Sequence, residues 1–344
     1  MKKILAYLLA AAMMIAALGG CSSSNGAFAG NDGLSIVVTI FPEYDWVMNV
    51  LGDNPAGAGV TLLLDNGVDL HSYQPTVDDI MKIANCDMFV YVGGESDKWV
   101  DDALSEAINK DMKVINLLEV LGDSVREEEI VEGMQEEEHH HDHDDEDEHH
   151  HDEDDEDEHH HEEGPEYDEH VWLSLKNAVA VTESISAALE DLDPENAGVY
   201  AENAEAYIGE LLSLDSEYAD AVKGSSGNTL LFGDRFPFRY LTDDYDLNYY
   251  AAFVGCSAES EASFETITFL AGKVDELGLG CVLTIDGKDQ SIAETIVQNT
   301  ASKDQKILTL DSMQSVTSSD IANGTTYLSV MKNNLEVLKE ALSY

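Results

Sequence analysis

DPENAGVYAENAEAYIGELLSLDSEYADAVKG, residues 193–224, is the stretch on which the reading of the chain turns. Tyr200, Ala204, Tyr207, Leu211, Leu214, Tyr218 and Val222 share one face at helical spacing, so the tyrosines read as packing rather than chemistry. Asp193 offers an N-cap, Pro194 the first helical position and Gly224 a stop. About 29 residues at about 1.5 Å each make a rod of roughly 43 Å, as long as a domain.

Short apolar, β-rich runs flank this rod on both sides. Before it come residues 35–40, 60–64, 88–92 and 113–117; after it come 229–232, 248–253, 281–285 and 306–310. Helical patterns such as ASFETITFLAGKVDEL (262–277) alternate with them. Strand and helix in alternation predict an α/β fold of two lobes, each with a mainly parallel four-stranded sheet, joined by one long rigid helix. The expected divisions are a signal at 1–20, a tether at 21–33, an N-terminal lobe at 34–192, the linking helix at 193–223 and a C-terminal lobe at 224–344. Ligands of such sheets bind beyond the carboxyl ends of the strands, which places a site in the cleft between the lobes.

The ends and the composition place the chain outside the cytoplasm. MKKILAYLLAAAMMIAALGGC (1–21) has two lysines, an uncharged run and small residues before Cys21, the layout of an export signal. SSSNGAFAGNDG (22–33) follows as a flexible tether. The net charge of -53 excludes nucleic acid as a partner, since phosphates would be repelled. Cys86, Cys256 and Cys281 lack CxxC spacing; Cys256 with Cys281 is the one pair within a lobe, open between a disulfide and two reduced core thiols.

Residues 136–163 are an unbroken run of 18 acids and 10 histidines, within a loop expected at 124–166. The histidines are His139, His140, His141, His143, His149, His150, His151, His159, His160 and His161. Like charges at this density, with nothing apolar to bury, predict disorder. Imidazoles and carboxylates are also the donors that divalent transition metals take, so the run reads as a low-affinity, multi-ion collector rather than one shaped site. Two histidines remain outside it. His71 follows a buried strand in a Gly/Pro-marked turn, and His170 precedes an apolar helical pattern.

Five segments carry a resemblance: IVVTIFPEYDWVMNVLGDN (36–54), GVDLHSYQPTVDDI (67–80), NCDMFVYVGGESDKWVDDAL (85–104), DEHVWLSLKNAVAV (168–181) and the 193–224 helix. In order and spacing they resemble the zinc and manganese binding lipoproteins of the ZnuA/TroA-like family, which feed bacterial ABC importers. LGGC before and at Cys21 resembles the lipobox, in which the cysteine is lipidated. The resemblance implies two four-stranded lobes, one metal between them, a His-rich acidic loop between the first two ligand histidines, a lipid anchor on the outer face of the bacterial membrane, a permease partner, a monomer and no catalysis.

The family's G-x-x-x-H-x-Y-x-P pattern falls on His71, and D-P-H-x-W-L falls on His170 with Glu169 in place of the proline. For a third ligand, ahead of an F-x-Y pair, gap-free counting in LLFGDRFPFRYL (230–241) lands on Arg235; a one-residue shift gives Asp234, with Arg235 as its ion-pair partner. Asp311 in KILTLDSMQSV (306–316) takes the fourth position. The tract leans toward Zn²⁺ as the ion, an acid as third ligand toward Mn²⁺, and zinc is preferred. The rival from another class is a secreted zinc hydrolase, for which the sequence offers no HExxH and no general base beside the ligands; a surface adhesion protein that stores metal is a third reading.

Overall fold

The computed structural model of the protein describes residues 33–54, 56–135, 166–257, 261–287 and 289–343. Cys21 and the ten tract histidines lie outside these residues. In the first lobe β1 (Ser35–Val38), α1 (Phe41–Leu51), β2 (Gly59–Leu62), α2 (Val77–Asn85), β3 (Met88–Tyr91), α3 (Trp99–Ser105), β4 (Lys113–Asn116) and α4 (Leu117–Leu121) alternate. The sheet runs β2-β1-β3-β4, every pair parallel. Helices α5 (Leu175–Leu192) and α6 (Ala197–Gly224) lead to the second lobe. There β5 (Thr229–Phe236), α7 (Arg239–Asp244), β6 (Asn248–Val254), α8 (Phe264–Leu277), β7 (Cys281–Thr284), α9 (Ser291–Asn299) and β8 (Lys306–Thr309) form a parallel sheet of order β6-β5-β7-β8, closed by α10 (Ser318–Ala322) and α11 (Tyr327–Ala341). All eight expected strands are present. β3 and β7 are buried along their whole length, which is why they read as nearly continuous apolar runs, with Thr284 at the end of β7 the one polar side chain.

α6 packs against α1 and α5 on one side and α11 on the other, so it belongs to both lobes. Tyr200, Ala204, Tyr207, Leu211, Leu214 and Tyr218 are its buried face, and each tyrosine hydroxyl finds an acceptor: Asp193 at 2.8 Å, Asp45 at 3.1 Å and the Met331 carbonyl at 2.7 Å. The helix starts later than expected. Asp193 and Pro194 belong to the turn before it, where the Asp193 carboxylate accepts from Asn196 Nδ2 at 2.7 Å instead of capping the helix.

A second correction concerns the loop. Residues 124–135, expected inside it, are described and tied down. Glu127 and Tyr167 form an antiparallel bridge, Glu128 N donates to the Glu166 carbonyl (2.9 Å), and Gln135 N donates across to the Ala252 carbonyl (2.9 Å). Val125 and Val131 are partly buried and Met134 is buried, apolar anchors that the histidine tract lacks.

The lobes meet on two flanks. On one, Asn66 and Thr317 form an antiparallel bridge and Ser318 N donates to the Asp65 carbonyl at 2.8 Å. On the other, the Tyr240 hydroxyl donates to the Asp168 carbonyl (2.7 Å) and accepts from Arg126 N (3.1 Å). Between them Trp172 Nε1 donates to the Ser312 carbonyl, and the Tyr327 hydroxyl donates to the Trp172 carbonyl.

Candidate metal centre

His71 sits in the 3-10 turn Leu70–Ser72 beyond β2, and His170 immediately precedes the turn Val171–Leu173. Each follows an aspartate by two residues, and that aspartate accepts the histidine's own backbone N–H: Asp69 from His71 N at 3.0 Å, Asp168 from His170 N at 2.8 Å. The same local device therefore fixes both imidazoles. His170 is wholly buried and His71 partly so.

The ring nitrogens divide their tasks. His170 Nδ1 lies 2.9 Å from Asp168 Oδ1, and His71 Nδ1 lies 2.8 Å from Ser96 Oγ and 3.3 Å from Glu169 Oε2. Carboxylates at both Nδ1 atoms favour the tautomer with the proton there, leaving both Nε2 lone pairs for a ligand. Those two Nε2 atoms face each other at 3.1 Å. Gln314, oriented so that its amide donates to both Asp69 oxygens at 2.8 and 3.0 Å, adds its own oxygen 3.1 Å from His170 Nε2. Three acceptors thus converge, an arrangement that a proton or a metal cation reconciles. Two zinc–nitrogen bonds of about 2.0 Å at a tetrahedral angle put the nitrogens about 3.3 Å apart, close to the separation seen.

Negative charge surrounds the pair. Asp97, Asp168 and Glu169 are nearly wholly buried. Burial, with Glu169 adding to it, pushes the Asp97 carboxyl up to about 7. Burial also raises Glu169, but His71 and Ser96 outweigh it and hold that carboxyl below its ordinary range. Gly94 makes room for Glu169: a Cβ there would stand 2.4 Å from Oε1, and its φ of +86 suits glycine. Gly255 does the same for His170, where a Cβ would stand 2.8 Å from Cε1 and 2.9 Å from the Phe236 carbonyl.

The remaining sequence candidates lie elsewhere. Among the described residues, the one group of three or more His, Cys, Asp or Glu side chains whose ligand atoms lie within 4.8 Å of one another is His71, His170 and Cys256. Asp234 is inside β5 rather than beyond it, its carboxylate accepting from Arg235 N (2.8 Å) and Ile285 N (3.2 Å). Arg235 pairs not with Asp234 but with Asp69, at 2.8 Å. Asp311 lies past β8 as expected and accepts from Met313 N at 2.8 Å; burial, then Asp286, pushes it up to about 6. A cleft of about 400 Å³ is lined by Asp69, Ser72, Asp234, Arg235 and Asp289. Cys256, Cys86 and Cys281 are free thiols, so the disulfide considered between Cys256 and Cys281 does not form. Sequence reasoning did not single out Cys256; its position just beyond the carboxyl end of β6 was the available signal.

Comparison with known proteins places the chain in a family. The sequence pattern of the family described as "Zinc-uptake complex component A periplasmic" matches residues 36–341. The chain is 32% identical over 343 residues to the "Zinc-binding lipoprotein AdcA" of Streptococcus pneumoniae, covering 99% of this chain and 61% of that protein. It therefore spans about three fifths of the length of that relative. It is 28% identical to the "High-affinity zinc uptake system protein ZnuA" of Bacillus subtilis, over 96% of this chain and 94% of that one. The crystal structure of the Zn(II)-bound ZnuA-like domain of Streptococcus pneumoniae AdcA superposes with a TM-score of 0.67 at 27% identity, covering 91% of this chain and all of that one. Two parallel four-stranded lobes, a histidine pair between them and a matching pattern over nearly the whole chain place this protein in the zinc-uptake complex component A family, whose members are binding components of uptake systems and not enzymes.

Proposed function

We propose that this protein binds Zn²⁺ outside the cell between its lobes and passes it to the permease of an ABC importer, held near the membrane through Cys21. The observation that carries the reading is the pair of Nε2 atoms facing each other at 3.1 Å, each ring oriented by its own acidic partner. The names of the relatives support zinc as the ion. The tract at 136–163 serves in this reading as a collector of weakly bound ions, since its repeated triplets supply many equivalent donors and no single geometry. Asp69, Asp234 and Asp289 outnumber Arg235 in the lining of the cleft beside Asp69, a balance that favours a cation there.

Zinc titration against a competing chelator tests the assignment. His71→Ala and His170→Ala should each abolish the single tight site while leaving weak binding. Asp234 and Asp311, the carboxylates the sequence offers as further ligands, share in holding the ion only if their alanine variants lose affinity in the same titration. Tight binding that survives in both histidine variants would overturn the cleft reading.

A further inference from the structure

The second lobe has to supply a donor if the ion is to join both lobes, and β5 supplies none in this arrangement. Arg235 is engaged with Asp69, and the Asp234 carboxylate rests on two backbone amides. Two residues beyond β6, however, Cys256 brings its sulfur within 4.8 Å of a ring nitrogen of each of His71 and His170. The approach is built into the backbone. Gly255, with no Cβ, lies directly against the His170 ring, and Cys256 N donates to Glu128 Oε1 at 3.3 Å. The thiol has no disulfide partner.

We propose that Cys256 is the third ligand, completing a two-nitrogen, one-sulfur set drawn from both lobes, and that its thiolate makes the site select zinc over manganese. The proposal rests on the reading that His71 and His170 hold the ion. On binding, the S–H bond breaks and a zinc–sulfur bond forms; the proton passes to solvent along the neighbouring Glu128 carboxylate, and no oxidation state changes. Zinc–nitrogen and zinc–sulfur bonds of about 2.0 and 2.3 Å place nitrogen and sulfur about 3.5 Å apart, a separation that lies inside the 4.8 Å grouping of these three side chains. Thiolate suits zinc, whereas manganese favours oxygen donors, so losing the sulfur costs the two metals unequally.

Cobalt(II) is the probe, because a thiolate bound to it gives an intense near-ultraviolet charge-transfer band that imidazoles and carboxylates do not. The histidine tract has no cysteine and is silent in that band, so the full chain can be used. One equivalent of Co²⁺ should produce the band in the wild type. Cys256→Ser should lose it while still binding cobalt through the histidines, and should bind zinc at least about 10–100-fold more weakly, since losing a ligand costs no less than losing the support of one. Manganese affinity should change by less. Tight cobalt binding without the band, or a band that persists in Cys256→Ser, overturns the thiolate assignment and leaves the histidine site standing. Binding unaffected by His71→Ala overturns both. A measurement on the unaltered chain guards against a misfolded variant: zinc should protect the Cys256 peptide from alkylation by iodoacetamide, and equal labelling with and without zinc overturns the proposal.

Discussion

Gly255 shows how much of this site is decided by a single atom that is absent. Replacing it with alanine puts a methyl group 2.8 Å from His170 Cε1 and 2.9 Å from a backbone carbonyl, and the carbonyl cannot swing aside. The imidazole is the part that must give. Gly255→Ala should therefore keep the fold, by circular dichroism, while lowering zinc affinity on the order of 10–100-fold, as for other losses of support to a metal ligand; unchanged affinity would show that the ring has room. At this scale the sequence was legible where chemistry follows a local motif. The fold brings the Nε2 atoms of His71 and His170 to 3.1 Å, and both residues stood out as candidates through their surroundings. Cys256 did not, because its relation to them spans 86 residues to one and 185 to the other and exists only once two lobes have folded against each other. The place of Asp234 within the strand was hidden for a related reason: nothing in LLFGDRFPF reveals that β5 continues through Phe236, past a register shift between Phe232 and Arg235.

At the scale of the element, the start of α1 carries a buried acid. Glu43 Oε2 accepts from Thr39 N (2.8 Å), Thr39 Oγ1 (3.0 Å) and Ile40 N (3.2 Å), closing the turn between β1 and α1. Burial nevertheless dominates and, with Asp97 adding to it, pushes the carboxyl from 4.5 up to about 8. The folded state then holds this proton more tightly than the unfolded chain, so Glu43 favours folding fully below about pH 4.5 and loses that contribution as pH rises toward about 8. Glu43→Gln cannot ionise. Its stability relative to the wild type should rise across that window by on the order of a few kcal/mol, measured by denaturant unfolding at several pH values. A difference that is flat in pH would mean that the carboxyl is ionised in the folded protein. Elements in general were the most legible level: strands buried on both faces are nearly continuous apolar runs, and α6 has one apolar face over its length. Their ends were not, since Asp193 meets Asn196 and Tyr200 through contacts that capping rules do not encode.

For the whole molecule, ligands from two lobes make the ion part of the fold. An ion that binds only the folded state stabilises it by RT ln(1 + [L]/Kd), roughly 4 kcal/mol at a thousandfold excess over Kd, so saturating zinc should raise the melting temperature by several degrees. Removing residues 136–163 should reduce the number of weakly bound ions seen by equilibrium dialysis and leave this rise in place. A deletion that abolishes the rise would move the tight site into the tract. The tract's roots favour the first outcome, because residues 124–135 and 166–168 are fixed by their own hydrogen bonds on both lobes, independent of what the histidines do.

The stitches on the two flanks of the cleft, Asn66 to Thr317 on one and Tyr240 to Asp168 and Arg126 on the other, bear finally on time. An ion gripped by His71 and His170 from one lobe and by Cys256 from the other leaves fully only when the lobes part, and they part only when those hydrogen bonds break. Differences in affinity among variants are then expressed mainly as dwell time, with the rate of capture little changed. Weakening Tyr240 or Thr317, neither of which belongs to the donor group, shortens the stay of an ion they never touch.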